Sequence, residues 1–225
     1  MKYRIDGAFM QVVNIELNEG ECVYAEAGAM TWMSDNMEME SELVGGIGAA
    51  IGRKFGSRES AFLINFKPSR GKGFVAFAND VPGKIIAFQL KTGESLICQK
   101  DAFLCSERSV KLSTFFRKKF GPGWFGGQGF ILEKIEGPGT VWIALNGEIQ
   151  EIRLEQGQKL KIDTSAVGLM EPAVRYDIQL VKGIKNMLFG GEGFFLATVE
   201  GPGKVWLQSA NVSGLAGVMK RFLGK

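Results

Sequence analysis

An internal repeat of 64 residues restricts the fold of this chain more than any other feature of its sequence. The segment GGQGFILEKIEGPGTVWI, residues 126–143, returns without a gap as GGEGFFLATVEGPGKVWL, residues 190–207. A looser third copy with a longer turn, RESAFLINFKPSRGKGFVAF, covers residues 58–77. In each copy alternating apolar residues flank a glycine-rich turn, which is typical of a β-hairpin. Three repeated hairpins in one chain predict an all-β protein.

A second module follows the hairpin along the sequence and has the same spacing. Residues 82–104 align with residues 146–168, again at a shift of 64, and residues 10–30 align with both. Because 225 residues are an ordinary length for one β domain, we predict a single domain over residues 1–225. Its predicted parts are a first repeat at 58–110, a second at 127–180, a third shared between 191–211 and 8–33, and an amphipathic C-terminal tail at 213–225.

Composition excludes several classes of enzyme. The chain contains no histidine, which excludes Ser-His-Asp and Cys-His catalysis and the usual imidazole metal sites. The acidic residues lack the dense spacing of a calcium loop, and the glycine-rich segment 42–57 lacks the Gly-x-x-x-x-Gly-Lys-Ser/Thr order of a phosphate-binding loop. We therefore predict that the protein is not an enzyme and holds no metal and no cofactor. The enzyme alternative requires two buried, facing carboxylates in a cleft, which a sequence does not place.

The charge balance and the cysteines indicate which partners and which cellular compartment to expect. A net charge of +3, from 27 basic and 24 acidic residues, is too small for a dedicated nucleic-acid binder. Cys22, Cys98 and Cys105 are odd in number and contain no CxxC pair, which predicts small apolar core residues in a reducing compartment. The first residues lack an apolar secretory leader, and no apolar run reaches the roughly 20 residues of a membrane-spanning helix. We therefore expect a cytoplasmic protein.

The segments that precede the three hairpins are the predicted interaction surface. Each mixes large apolar side chains with arginine or lysine, and the C-terminal tail adds a phenylalanine. The residues of this surface are Arg53, Lys54, Phe55, Phe115, Phe116, Arg117, Lys118, Lys119, Trp124, Phe125, Met187, Leu188, Phe189 and Phe222. Such a mixture is typical of a lipid headgroup boundary, of a subunit interface, or of loops that cap a core. We expect a homo-oligomer that contacts a membrane surface or another protein, with RNA contact by the three basic residues 117–119 as a further alternative.

Three segments carry a resemblance to a known family. GRKFGSRESAFLINF, GGQGFILEKIEGPGTVWIALNGEI and EGFFLATVEGPGKVWLQS resemble bacterial and archaeal members of the altered-inheritance-of-mitochondria protein 24 family, over about Tyr3 to Ala210. The resemblance implies a β fold similar to the tryptophan-attenuation RNA-binding protein, a double-stranded β-helix type of arrangement. It implies no catalytic or binding residues for this chain, and similarity of fold does not transfer RNA binding.

These observations predict a non-enzymatic scaffold or interaction protein. It would act at a membrane surface, as a peripheral protein, through the apolar and basic segments before the hairpins. The alternative is a small-ligand or RNA-binding module, chosen by analogy with the fold. That alternative requires an open pocket lined by Trp142 or Trp206, the two hairpin tryptophans, for which we otherwise predict a place in the core.

Overall fold

In a computed structural model of the protein, the structure describes residues 1–26, 28–43, 62–118, 130–180, 195–212 and 219. Nearly all of them belong to β-strands or to the short turns between strands, which confirms the all-β prediction. The strands of the described part are β1 (Lys2–Asp6), β2 (Val12–Leu17), β3 (Val23–Glu26), β4 (Met30–Met33), β5 (Met37–Leu43), β6 (Phe62–Pro68), β7 (Gly73–Ala78), β8 (Gly83–Leu90), β9 (Ser95–Gln99), β10 (Phe103–Glu107), β11 (Lys111–Lys118), β12 (Phe130–Glu136), β13 (Gly139–Asn146), β14 (Ile149–Leu154), β15 (Lys159–Asp163), β16 (Val167–Met170), β17 (Arg175–Leu180), β18 (Phe195–Glu200) and β19 (Gly203–Gln208). Single 3-10 turns at Lys100–Ala102 and Thr164–Ala166 follow β9 and β15.

The strands are divided between two compact units. The first unit consists of residues 1–94, 101–112 and 136–147, and the second of residues 95–100, 113–135 and 148–225. A four-stranded sheet in the order β1-β2-β7-β4 and a six-stranded sheet in the order β5-β6-β3-β10-β13-β8 belong to the first unit. The second unit contains a six-stranded sheet, β11-β12-β9-β16-β19-β14, and a three-stranded sheet, β15-β18-β17. Over the described residues, none of the four sheets closes into a barrel.

The strand pairing recurs three times along the chain. The two strands of each predicted hairpin lie in different sheets, so the glycine turn joins two sheets and the prediction of a paired hairpin is wrong; we keep the word hairpin only as the name of these three strand–turn–strand segments. The second strand of each segment lies between two strands that precede it: β7 between β2 and β4, β13 between β8 and β10, and β19 between β14 and β16. In all three cases the register shifts at the same point of the second pair, next to Trp32, Cys105 and Leu169. These pairings fall within three contiguous groups of six strands, so their phase differs from the predicted one, in which residues 191–211 and 8–33 share a repeat. The single-domain boundary stays a prediction.

The turn that follows the first strand of each group is also built in the same way. In the third group, the Gln158 N–H donates to the carbonyl of Glu155 at 3.0 Å, and the Gln158 Oε1 accepts the Glu155 N–H at 2.9 Å. Gly157 between them has a φ of +76°, a conformation that glycine adopts without strain. The residues that form the corresponding turns are Asn18, Gly20 and Glu21 in the first group, and Lys91, Gly93 and Glu94 in the second.

A side-chain acceptor fastens each hairpin to the strand beside it. Glu171 Oε2 accepts the Lys204 N–H at 3.0 Å, while the Glu171 N–H donates to the Lys204 carbonyl at 2.9 Å. The same main-chain donor is satisfied in the other groups by a corresponding acceptor, at 3.0 Å in both: Glu107 for Thr140, and the Ser34 hydroxyl for Phe74. A partly buried N–H needs such a partner, because leaving it unsatisfied costs the free energy of its lost hydration.

Each unit has its own apolar core. In the first unit, alternate residues of β2 and β7, such as Val13, Ile15 and Phe77, face inward and are buried. In the second unit, Leu132, Val199 and other alternate residues of β12, β18 and β19 do the same. Two of the three cysteines, Cys98 and Cys105, are buried, as predicted for apolar core residues, whereas Cys22 is half-buried. The three form no disulfide, and burial raises the pKa of the Cys105 thiol well above its usual value.

Gly203→Ala should destabilise the protein more than Gly157→Ala. Gly203 has a φ of +139°, and an added Cβ would lie 2.8 Å from Val174 Cγ2, whereas Gly157 at +76° has nothing within 4 Å of that position. We expect Gly157→Ala to cost about 1 kcal/mol of unfolding free energy through backbone strain, and Gly203→Ala about 3 kcal/mol through strain and overpacking. Chemical denaturation of both variants measures the difference, and equal losses would contradict the crowding at Gly203.

Glu171→Ala should lower the free energy of unfolding by about 1 to 2 kcal/mol, because the Lys204 N–H loses its acceptor. Glu171→Gln keeps a carbonyl oxygen in the same place and serves as the matched control. We expect the glutamine variant to stay within about 0.5 kcal/mol of the parent protein. If both variants unfold at the same denaturant concentration, the hydrogen bond is not what stabilises this contact.

Candidate functional site

Most of the predicted interaction surface lies outside the described residues. This holds for Arg53, Lys54, Phe55, Lys119, Trp124, Phe125, Met187, Leu188, Phe189 and Phe222. The remaining four residues are consecutive and form the second half of β11, the edge strand of the six-stranded sheet in the second unit. Arg117 and Lys118 are placed there by their backbone, and the side chains of Phe115 and Phe116 are described.

Phe115 and Phe116 have opposite environments, since successive side chains of a strand point to opposite faces. The Phe116 ring meets the Tyr176 ring edge-on, with centroids 5.5 Å apart at 74°, and packs against the core of the second unit. Tyr176 in turn stacks on Phe130 at 5.5 Å, and burial raises the pKa of its hydroxyl above the usual range. Phe115 is 48% exposed. Of this pair, Phe115 is thus the residue available to a partner, and Phe116 is an anchor.

A second exposed aromatic surface lies on the outer face of the sheet β1-β2-β7-β4 in the first unit. Strand register places Phe74, Glu16 and Lys2 in one row across β7, β2 and β1. The next row along contains Trp32 on β4, Ala76 on β7, and then Asn14 and Arg4. We call these two rows the outer face. It contains two exposed aromatic residues, an arginine and a lysine, which sequence reasoning did not identify as a site.

The Trp32 indole lies flat on the outer face. Its Nε1 donates to Asn14 Oδ1 at 3.3 Å, although β7 separates the strands of these two residues. The ring therefore crosses β7 at Ala76, whose side chain is fully buried. Trp32 itself remains 46% exposed, so one face of the indole is open to solvent.

The other two groups have a tryptophan in the same pair of positions, but on the second strand of the hairpin, where the first group has Ala76. Trp142 pairs with Cys105 and Trp206 with Leu169, whereas Trp32 pairs with Ala76 from the other side. The Trp142 side chain is fully buried and Trp206 is 7% exposed, which confirms their predicted place in the core. An open pocket at either residue, which the ligand-binding alternative required, is therefore absent. The large-for-small exchange between the paired positions of Trp32 and Ala76 marks this residue, but it is visible only once the strand pairing is known.

A groove with a volume of about 690 Å³ lies on the outer face around the Phe74 row. It is lined by Lys2, Tyr3, Arg4, Asn14, Glu16, Leu17, Asn18, Ser34, Lys72, Gly73 and Phe74. Arg4 Nε bonds to Asp6 Oδ2 at 2.8 Å. Within the described part of the chain, neither Lys2 nor Lys72 forms an ion pair. The groove therefore has an excess of positive charge over its single lining carboxylate, that of Glu16.

The described residues contain no group of three or more cysteine, aspartate or glutamate side chains that could hold a metal ion. They also contain no helix with the length and apolar character needed to cross a bilayer.

The repeated six-strand pattern defines an all-β protein in which the last strand of each group is inserted between two earlier strands of that group. The chain belongs to the mitochondrial biogenesis AIM24 family, whose model matches residues 3–210, as the resemblance predicted. It is 34% identical over 232 residues to an uncharacterized protein of Streptococcus pyogenes serotype M6, with 99% of this chain and 91% of that protein covered. It is also similar to the X-ray crystal structure of a Streptococcus pyogenes protein, with 30% identity, a TM-score of 0.78, and coverage of 98% and 99% of the two chains.

Acrylamide quenching of tryptophan fluorescence should distinguish Trp32 from the hairpin tryptophans. Because Trp32 is 46% exposed and Trp206 only 7%, we expect Trp32→Phe to remove more of the quenchable emission than Trp206→Phe. Both variants keep all other tryptophans, so the comparison isolates the two indoles. A larger loss in Trp206→Phe would contradict the placement of Trp32 on the outer face.

Proposed function

We propose that the protein is a non-enzymatic scaffold that binds a membrane surface through the aromatic and basic residues of β11 and of the segments before the hairpins. The observation that supports it best is the contrast between Phe115 and Phe116. An exposed phenylalanine on an edge strand, two residues before a run of three basic residues at 117–119, combines an apolar contact with positive charge. This combination suits the headgroup region of an anionic bilayer.

The anchoring of β11 makes this surface suitable for binding. The Phe116 contact with Tyr176 holds the strand against the core, and so Phe115 is presented by a fixed backbone. A rigid support lowers the conformational entropy that is lost on binding. The exposed ring would then bury apolar area against acyl chains, while the adjacent cations interact with lipid phosphates.

The environments of several titratable groups favour structural roles over catalysis. Hydrogen bonds from the Asn18 backbone and from the N-terminal ammonium group lower the pKa of Glu21, and a hydrogen bond from Lys204 lowers the pKa of Glu151. A general acid near neutral pH needs a raised pKa instead. The Cys105 thiol, whose pKa burial raises, is likewise a poor nucleophile. We therefore keep the proposal of a protein that is not an enzyme.

Two finer proposals accompany this function. The threefold recurrence of strand pairing supports an arrangement of the double-stranded β-helix type, similar to the tryptophan-attenuation protein. The position of β11 at the end of its sheet, among the described strands, and the exposure of Phe115 support self-association of the chain, in which an edge strand gains a partner.

Co-sedimentation with liposomes tests the membrane proposal. We expect the protein to bind vesicles that contain phosphatidylserine and to release them at high salt. The double variant Phe115→Asp, Arg117→Glu should bind about tenfold more weakly or worse, because it loses one apolar anchor and reverses one charge. Phe116→Asp is unsuitable for this test, since that side chain packs in the core and its loss would affect folding.

The matched control is Phe9→Asp, Lys161→Glu, which makes the same apolar-to-acidic change and the same reversal of charge at exposed residues outside β11. It should bind vesicles as the parent protein does. Equal binding by all three proteins, or no binding by the parent protein, would refute the membrane proposal. In the second case, size-exclusion chromatography of the Phe115 variant determines whether this surface is a subunit interface, since only an interface would dissociate.

A further inference from the structure

We propose that the groove on the outer face of β1-β2-β7-β4 binds a nucleoside phosphate, with the planar base on Phe74 and the phosphate at Lys2 and Lys72. The inference concerns the first unit and does not depend on β11 or on membrane binding. It is based on three properties of the groove: unpaired positive charge, an exposed aromatic ring, and one acceptor between them.

Two of the three cations that line the groove make no ion pair with any described residue. Lys2 and Lys72 are exposed and make no ion pair among the described residues, while Arg4 is held by Asp6. The corresponding face in the third group differs, since Lys204 there bonds to Glu151 at 2.7 Å and lies 5.9 Å from the Trp206 ring centroid. The third group thus neutralises its cation within the chain, whereas the first group leaves two cations open to an anionic ligand.

The aromatic part of the groove is Phe74, which is 43% exposed. Strand register places Glu16 next to it on β2 and Lys2 beyond that on β1. Because neighbouring strands lie about 4.8 Å apart, Phe74 and Lys2 are separated by about 10 Å along this row. That is on the scale of the distance between the base and the phosphates of a nucleotide. Glu16 lies between them, where its carboxylate can accept hydrogen bonds from ribose hydroxyls or from an amino group.

The size and charge of the groove favour a nucleoside phosphate over a neutral sugar, inorganic phosphate or a lipid surface. A volume of about 690 Å³ is within the range of small-molecule sites. A neutral sugar leaves the two lysines unused, and inorganic phosphate leaves Phe74 unused. An anionic bilayer would place lipid phosphates against the Glu16 carboxylate in the centre of the groove. A nucleoside phosphate uses the cations, the ring and the acceptor together.

Isothermal titration calorimetry of the full chain with ADP, in a buffer that contains EDTA, tests the assignment. We expect one ADP to bind per chain, with adenosine and inorganic phosphate each binding at least about tenfold more weakly. Phe74→Ala, and the double variant Lys2→Ala, Lys72→Ala, should each lose about tenfold in affinity for ADP, and the lysine variant should also lose salt dependence.

The controls are Met39→Ala and Lys67→Ala, an exposed apolar residue and a partly exposed lysine of the same unit that do not line the groove. Both should bind ADP within about twofold of the parent protein. Absence of ADP binding at millimolar concentration would overturn the proposal, as would equal affinity of the Phe74→Ala and Met39→Ala proteins. Phosphate that binds as well as ADP would reduce the groove to an anion site. Tighter binding of a ten-residue oligoadenylate than of ADP, with several chains on one strand, would assign the face to single-stranded nucleic acid instead.

Discussion

The insertion of each second hairpin strand between two neighbours is the constraint on which the rest of this structure depends. β7, β13 and β19 have hydrogen-bonded partners on both sides, so their main-chain donors and acceptors are satisfied by the ladders. This allows β13 to be buried along all eight of its residues without the cost of unpaired polar groups. Where the ladder ends, a side chain continues it, as Glu171 does for the Lys204 N–H. Strand pairing and these side-chain acceptors together hold the hairpins in register.

Differences between the three groups are where candidate sites arise. The backbone pattern is the same in each, but the side chains at the register position of Ala76, Trp142 and Trp206 differ. A buried tryptophan covers this position in the second group and a nearly buried one in the third, while the first has alanine with an indole laid across it. In the third group a cation is neutralised by Glu151, and in the first Lys2 and Lys72 are not neutralised by any described residue. A repeated scaffold has thus kept its hydrogen bonds and varied its surface, which is a general way to place a site on a stable fold.

Sequence reasoning identified one of the two candidate sites, the β11 surface, and missed the groove on the outer face. The β11 residues were identified because aromatic and basic letters adjoin there, a pattern that needs no tertiary information. It did not separate Phe115 from Phe116, because which face of a strand meets the core depends on the neighbouring sheet. The outer-face groove was missed altogether: Lys2, Glu16 and Phe74 are far apart in the chain, and their shared row exists only through strand register. The sequence did not identify Trp32 either, because a single tryptophan in a short strand usually packs in a core.

By itself, the sequence determined the class of the fold, the three repeated strand–turn–strand segments, the recurring glycine turns, the family, and the core positions of Trp142 and Trp206. These follow from local patterns: alternation of apolar residues, glycine where φ must be positive, and identity at a constant spacing. Only the tertiary structure decided the phase in which strands pair, the side chain that satisfies each hairpin donor, and the charges that are left without a partner. The physical reason is that each of these is a non-local contact, and in a β protein the partner of a strand is chosen by competition among many similar edges along the whole chain.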